Sequence, residues 1–190
     1  MTGKIFMLEG ADCSGKTNLA KAIMWTAMED GLDAVYLHGS PWPGTVFREH
    51  MRMLMMAGGS YMTGAIVVLD HFWIAEQLYG REYRGVAAYL PKTIDECMQE
   101  MDAKIVLCVR SDPEAQARAH AERRAAGKEH FADAYGIIGR YRALLDSPPP
   151  WSPDGPQITK RGDVICYDMD TWKGKSLDFA NMLLQAAVKS

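Results

Sequence analysis

A glycine-rich segment directly after a short apolar stretch constrains this chain more than any other feature. Residues 10–17 read Gly-Ala-Asp-Cys-Ser-Gly-Lys-Thr and follow Lys4–Leu8, which has the composition of a buried strand. The pattern is G-x-x-x-x-G-K-[ST], the signature of a loop whose backbone N–H groups surround a phosphate between a strand and a helix. Residues 10–17 are called the P-loop below.

Each fixed P-loop position has an expected task. The glycines allow the backbone to curl, the lysine reaches the β- and γ-phosphates, and the threonine hydroxyl is a ligand of Mg²⁺. The helix predicted over 16–29 adds the positive end of its dipole to the anion site. The sequence therefore predicts ATP and Mg²⁺ as cofactors. The predicted nucleotide-binding residues are Gly10, Cys13, Ser14, Gly15, Lys16 and Thr17.

The composition is that of one ordinary globular domain spanning residues 1–190, with 48% hydrophobic and 24% charged residues. No apolar run approaches the roughly 20 residues that cross a bilayer, and no leader pattern opens the chain, so a cytoplasmic location without membrane association is expected. The net charge of −3 gives no general preference for nucleic acid. The four cysteines form no C-x-x-C pair, so no zinc site is predicted, and Cys108 and Cys166 are expected to be buried in strands.

Strands and helices alternate along the chain, which predicts an α/β fold with a doubly wound, parallel, five-stranded sheet flanked by helices. Ligands of such sheets bind at the carboxyl ends of the strands. The predicted strands are Lys4–Leu8, Ala34–Leu37, Ala65–Leu69, Lys104–Val109 and Asp163–Tyr167. The predicted helices are Lys16–Glu29, Thr45–Met56, Ile74–Tyr79, Lys92–Met101, Pro113–Ala125, Glu129–Leu145 and Lys175–Ala187. A proline-rich loop is expected over 147–162.

Three arginines late in a charged helix favour a kinase among the P-loop proteins. The transferred phosphoryl group spreads negative charge over its oxygens, so cations around it are needed. Arg118, Arg123 and Arg124 are expected to supply them from a mobile lid over about 118–130. A guanine-reading [NT]-K-x-D segment and a strand ending in two adjacent carboxylates are both missing, which disfavours a GTPase and a motor ATPase.

Short motifs along most of the chain resemble those of thymidylate kinases. Residues 9–17 are similar to the family's F-E-G-x-D-x-x-G-K-[ST], and residues 70–79 to its D-R-[YFH]-x-x-S-x-x-x-Y. Residues 112–118 resemble its lid entry, D-x-P-E-x-A-x-x-R. The resemblance implies a nucleoside monophosphate kinase-like P-loop fold with an arginine-bearing lid. It also raises a homodimer as a possibility, because thymidylate kinases are commonly dimers.

The resemblance further implies roles for individual residues. Asp12 would meet the 3′-hydroxyl of the acceptor's sugar, and Asp70 would lie beside Mg²⁺ and the reacting phosphates. The family's arginine that holds the acceptor's monophosphate is replaced by His71, and the arginine of its R-E-P-G-G-T loop is missing, with Arg48 nearby. Phe72 and Trp73 are candidates to stack on the acceptor base, although either could equally belong to the core.

Three acceptors stay open. A thymidylate-like deoxynucleoside monophosphate comes first. The second is the hydroxymethyl group of 5-hydroxymethyluracil in DNA, since compact relatives in bacterial viruses are thought to modify such bases and this acceptor has no terminal phosphate to hold. A nucleoside or another small molecule is third. A nucleotide-binding regulator without turnover is the alternative from outside the enzymes.

Overall fold

The structure is a computed structural model that describes residues 2–39, 46–84, 92–127, 134–146 and 164–188. The strands are β1 (Lys4–Glu9), β2 (Ala34–His38), β3 (Ile66–Asp70), β4 (Lys104–Val109) and β5 (Val164–Asp168). The helices are α1 (Lys16–Glu29), α2 (Val46–Met62), α3 (Trp73–Arg84), α4 (Lys92–Glu100), α5 (Pro113–Ala125), α6 (Ala134–Asp146) and α7 (Ser176–Val188).

The strands form one parallel sheet in the order β2-β3-β1-β4-β5. The chain therefore reverses its winding direction next to β1, and the loop after β1 lies at the switch point where α/β proteins bind ligands. The register between β2 and β3 sets His38 opposite Asp70, and that between β1 and β3 sets Leu8 opposite Asp70. The predicted fold class is confirmed.

Alternating side chains of the central strands supply a separate core on each face of the sheet. Ile5 and Met7 point into the core covered by α2 through α6, whereas Phe6 and Leu8 point into the core covered by α1 and α7. All four are at most 1% exposed. Because both faces are covered, the interiors of these strands are continuous apolar runs, which is why they could be recognised in the sequence.

The predicted bounds are met at α1, α5 and β4, and the others shift. α2 continues six residues past the predicted end, from Met56 to Met62, and α3 continues from Tyr79 to Arg84. Cys108 is buried as predicted, but the prediction for Cys166 is wrong, because β5 is an edge strand and this thiol is exposed.

Several predictions fall on residues outside the described ranges. These include the proline-rich loop at 147–162, the end of the lid at 128–130 and the start of the helix predicted from Glu129. The assignment of residues 1–190 to one domain stays a prediction. Among the helices of the described segments, none has the length and apolar character needed to cross a membrane.

Candidate active site

The P-loop has the left-handed backbone that its glycines were expected to allow. The φ angle is 153° at Gly10, 62° at Cys13 and 91° at Gly15. A Cβ at Gly10 would lie 2.2 Å from the carbonyl oxygen of Cys108, and one at Gly15 would lie 2.9 Å from Sδ of Met169. The loop thus packs between the ends of β4 and β5. A side chain at Gly10 would push the loop off the backbone of β4, whereas one at Gly15 would meet the side chain of Met169.

Lys16 lies inside the loop rather than in solvent. Its side chain is buried, and Nζ donates to the carbonyl oxygens of Gly10 at 2.6 Å and Ala11 at 3.0 Å. Ser14 is also buried, and its Oγ has no hydrogen-bond partner among the described residues. An ammonium and an unused hydroxyl inside a curled loop suit the oxygens of a nucleotide's phosphates. Thr17 is exposed at the start of α1, where its hydroxyl is accessible to a metal ion.

Asp70 ends β3 as a buried, ionised carboxylate. Its Oδ2 accepts a hydrogen bond from the hydroxyl of Tyr36 at 2.8 Å and lies 3.4 Å from Nδ1 of His38. Burial alone would raise its pKa, but the neighbouring His38 and His71 and the charge of Lys16 outweigh burial and lower the pKa to about 2. Oδ1 is buried without a hydrogen bond within the described ranges. A free carboxylate oxygen suits Mg²⁺ or a water bound to it.

Asp12, inside the P-loop, is fixed from three elements. Its Oδ2 accepts from the hydroxyl of Tyr79 at 3.0 Å, its Oδ1 lies 3.8 Å from Nε2 of His71, and its backbone carbonyl accepts from Nε2 of Gln116 at 2.8 Å. Burial would raise the carboxyl's pKa, but the nearby imidazole of His71 and the charge of Lys16 hold it well below its usual range. Asp12 is therefore an ionised hydrogen-bond acceptor.

His71 occupies the position where the resembled family has an arginine. Its backbone is left-handed, with φ 55°, and its ring meets the edges of His38 and Tyr79 at centroid distances of 5.6 and 6.0 Å. Burial, followed by the charge of Lys16, lowers the pKa of the imidazole. The ring is accordingly neutral near pH 7 and offers hydrogen bonds rather than positive charge.

Glu9 is a site residue that the sequence-based reasoning did not single out. It ends β1 just before the P-loop, is fully buried, and accepts from the backbone N–H of Phe72 at 3.1 Å and from the hydroxyl of Tyr141 at 3.4 Å. Burial raises the pKa of this carboxyl to about 8. Its position between a strand and a phosphate loop could have indicated a role, because a carboxylate at that position lies within range of the charge of Lys16.

We expect Glu9→Gln to remove a pH dependence of stability. The folded-state pKa of about 8 lies above the ordinary value of 4.5, so the folded state binds the extra proton between those pH values. This group's contribution therefore falls as pH rises through that window, by at most about 1.4 kcal/mol per pH unit. Urea titrations from pH 5 to 8 should show wild type losing stability relative to the variant. Parallel curves for the two proteins would contradict the raised pKa.

The two aromatic candidates for base stacking lie in the core. Phe72 and Trp73 are both 0% exposed, and Phe72 packs against His50 at a centroid distance of 5.0 Å. The indole Nε1 of Trp73 is buried and makes no hydrogen bond within the described part of the chain. As placed, neither ring presents a face to a ligand, and the backbone of Phe72 contributes instead by holding Glu9.

The predicted cations make no hydrogen bond or ion pair with the P-loop within the described residues. Arg118 is 64% exposed, and its guanidinium lies 3.6 Å from Asp112 and 3.8 Å from Glu114 on its own helix and cap. Arg123 and Arg124 are exposed at the end of α5, and Arg48 is exposed on α2. The link between α5 and the P-loop is the buried amide of Gln116 on Asp12. No pattern along the chain indicates this contact, because the two residues are 104 positions apart.

A second polar cluster forms beside the P-loop, where the chain leaves β4 and β5. Arg110, just after β4, donates from Nε and Nη2 to Asp170 at 3.0 and 2.7 Å. Met169, beside it, packs against Gly15. These contacts hold the segment after β5 against the nucleotide loop. They were also missed, because the arginine and aspartate are 60 positions apart.

Comparisons with known proteins identify the fold and no family. No family model matches the chain, and no curated protein matches it. A Chloroflexus aurantiacus protein provisionally named a kinase is 15% identical, with a TM-score of 0.54 over 97% of this chain and 98% of that one. The protein APE1195 is 17% identical, with a TM-score of 0.53 over 97% and 96%. An APS kinase from Mycobacterium tuberculosis, bound to AMPPNP and APS, is 16% identical with a TM-score of 0.47 over 76% and 96%.

Proposed function

We propose that this protein is a phosphotransferase that uses ATP and Mg²⁺ to transfer the γ-phosphoryl group of ATP to a deoxynucleotide. The observation that carries the proposal is the buried Lys16 ammonium inside the P-loop, with two ionised carboxylates near enough for its charge to lower their pKa values, Asp12 and Asp70. A loop that holds phosphates next to carboxylates that bind a metal ion and a hydroxyl has the parts that phosphoryl transfer requires.

The residues divide the work by position. The P-loop N–H groups, Ser14 and Lys16 bind the phosphates, while Thr17 and Asp70 would hold Mg²⁺, which neutralises charge on the transferred group when it is bound. Asp12 accepts a hydrogen bond from the 3′-hydroxyl of the acceptor's sugar and so positions the acceptor. Most of the rate enhancement then comes from positioning and electrostatics rather than from a strong base.

The lid arginines complete this scheme only after movement. Arg118, Arg123 and Arg124 pair locally or face solvent in the structure, whereas the transferred group needs cations beside it. We propose that α5 brings at least one of them over the P-loop when substrates bind, as lids of such enzymes do.

A thymidylate-like deoxynucleoside monophosphate is the first acceptor proposed. The support is the resemblance at residues 9–17 and 70–79, together with the ionised Asp12 where the sugar hydroxyl would bind. The hydroxymethyl group of 5-hydroxymethyluracil in DNA is the second. The observation that favours it is the neutral His71, which replaces the arginine that would hold a monophosphate.

Transfer from γ-labelled ATP tests these acceptors directly. The protein is incubated with Mg²⁺ and labelled ATP against each deoxynucleoside monophosphate, and separately against duplex and single-stranded DNA containing 5-hydroxymethyluracil. Label on dTMP or an analogue supports the first acceptor, and label on DNA alone supports the second. Unmodified DNA of the same sequence is the matched control. Absence of label on every acceptor, together with tight ATP binding, would contradict both acceptors and leave a nucleoside or another small molecule, or a regulator without turnover.

His71→Arg separates the two acceptors. If the substrate is a monophosphate, a guanidinium beside the acceptor should lower KM for dTMP by about tenfold, because charge-assisted bidentate bonds are strong. His71→Lys is the matched control. Lysine adds the positive charge without the two parallel N–H donors of a guanidinium, so its KM for dTMP should fall less. Steady-state kinetics at saturating ATP measures both variants. A large drop in kcat for both would mean that the imidazole itself is required.

A further inference from the structure

The imidazole of His38 is fixed in place and yet accessible. Its ring stacks on Tyr36 at a centroid distance of 6.3 Å and an angle of 25°, and it meets His71 edge-on at 5.6 Å. Its Nδ1 lies 3.4 Å from Oδ2 of Asp70, although its side chain is 51% exposed. A polar group that is held in one orientation while it faces solvent loses little entropy when it binds a ligand.

The groups around Nδ1 of His38 determine whether the other ring nitrogen, Nε2, donates or accepts a hydrogen bond. The hydroxyl of Tyr36 already donates to Oδ2 of Asp70, so the imidazole atom that faces this oxygen must carry a proton to be attracted to it. In the neutral ring, Nε2 then holds a lone pair and accepts hydrogen bonds. Within the described residues, the contacts of the His38 side chain are those with Tyr36, Asp70 and His71.

The position of His38 lies between the two carboxylates of the site. On one side is Asp70, which we assign to the metal ion, and on the other His71 connects to Asp12, which we assign to the acceptor's hydroxyl. The accessible part of His38 therefore borders the space that an acceptor fills. Neither the motifs nor the resemblance to thymidylate kinases gives this residue a role.

We propose that His38 is an acceptor-binding residue whose Nε2 accepts a hydrogen bond from an N–H or O–H group of the acceptor. The proposal rests on the proposed function, since it needs an acceptor at this edge of the sheet. It deepens that function by requiring the acceptor to carry a hydrogen-bond donor besides the sugar hydroxyl assigned to Asp12, such as the imide N–H of a thymine-like base.

Two amide variants separate the two ring nitrogens. The amide of asparagine reaches about as far as Nδ1, so His38→Asn keeps a partner for Asp70 and loses the group at Nε2. The longer His38→Gln places an amide oxygen near the position of Nε2. We expect His38→Asn to raise KM and Kd for dTMP by about tenfold, the cost of one lost hydrogen bond in a binding site. His38→Gln should retain most of the affinity, with the Kd for ATP and the melting temperature unchanged in both.

Calorimetric titration of dTMP in the presence of a non-hydrolysable ATP analogue keeps this test separate from transfer. A wild type that binds dTMP without phosphorylating it would refute the proposed function, while the ranking of the two variants in Kd would still support the role of His38. The same three proteins are titrated with a 5-hydroxymethyluracil oligonucleotide. Equal Kd values for wild type and His38→Asn, an equal loss of ATP affinity in both variants, or no binding of either probe by the wild type would overturn the proposal.

Discussion

Lys16→Ala should lower phosphoryl transfer about a thousandfold, the scale on which a single preorganised charged or hydrogen-bonding group acts on a transition state. The reason is electrostatic, because the ammonium lies inside the P-loop and its charge lowers the pKa values of Asp12 and Asp70. ATP turnover measured with the acceptor identified by the labelling assay gives the result. The fold should persist, since the hydrogen bonds of Nζ to described residues are those to the backbone carbonyls of Gly10 and Ala11.

Lys21→Ala is the matched control for this variant. Lys21 lies on the same helix, α1, but its side chain is exposed. Substitutions of exposed residues away from buried contacts, caps and networks usually change stability by less than about 0.5 kcal/mol. Transfer by the control should stay at the wild-type rate. Circular dichroism and thermal melting of both variants exclude unfolding as the cause. Full transfer by Lys16→Ala would mean that the phosphate site has been assigned to the wrong loop.

The sheet could be predicted from the sequence because each strand is marked by a pattern of a few consecutive residues. Strands covered on both faces have continuous apolar interiors, so β1 and β4 stand out from the charged helices around them. Edge strands carry a weaker signal. β5 looks equally apolar in sequence, yet Cys166 is exposed because the sheet ends there.

The candidate site could be predicted only where a motif spans it. The P-loop and Asp70 follow strands directly, so their place at the carboxyl edge of the sheet follows from the topology. Glu9 and Gln116 make their contacts with residues 63 and 104 positions away, and no pattern along the chain reveals such pairs. Phe72 and Trp73, which follow Asp70, are buried, although stacking on a base would need an exposed ring. Their burial depends on the helices that pack over them, and the neighbouring residues in the sequence do not reveal that packing.

Gly10→Ala should destabilise the protein by about 4 kcal/mol, because two costs that are usually separate act together. Its φ of 153° is one that residues with a Cβ rarely adopt, and the added methyl group would lie 2.2 Å from the carbonyl oxygen of Cys108. The obstacle is backbone of β4 rather than a side chain that can rotate away. The melting temperature should fall by roughly 10 °C, on the scaling for a domain of this size. ATP binding should be lost even in the protein that remains folded, since the loop has to move off β4.

Gly31→Ala is the control that separates the cost of backbone strain from the cost of the clash with β4. Gly31 also has a positive φ, 72°, but a Cβ there meets nothing within 4 Å. It should therefore carry the backbone strain alone, about 1 kcal/mol, and leave ATP binding intact. Urea denaturation of the two variants gives the difference, and a fluorescent ATP analogue reports binding below the melting temperature. Equal losses of stability would show that strain dominates and that β4 can yield. A larger loss for Gly10→Ala, joined to loss of the nucleotide, would show that the contact between the P-loop and β4 is what keeps the phosphate-binding backbone in shape.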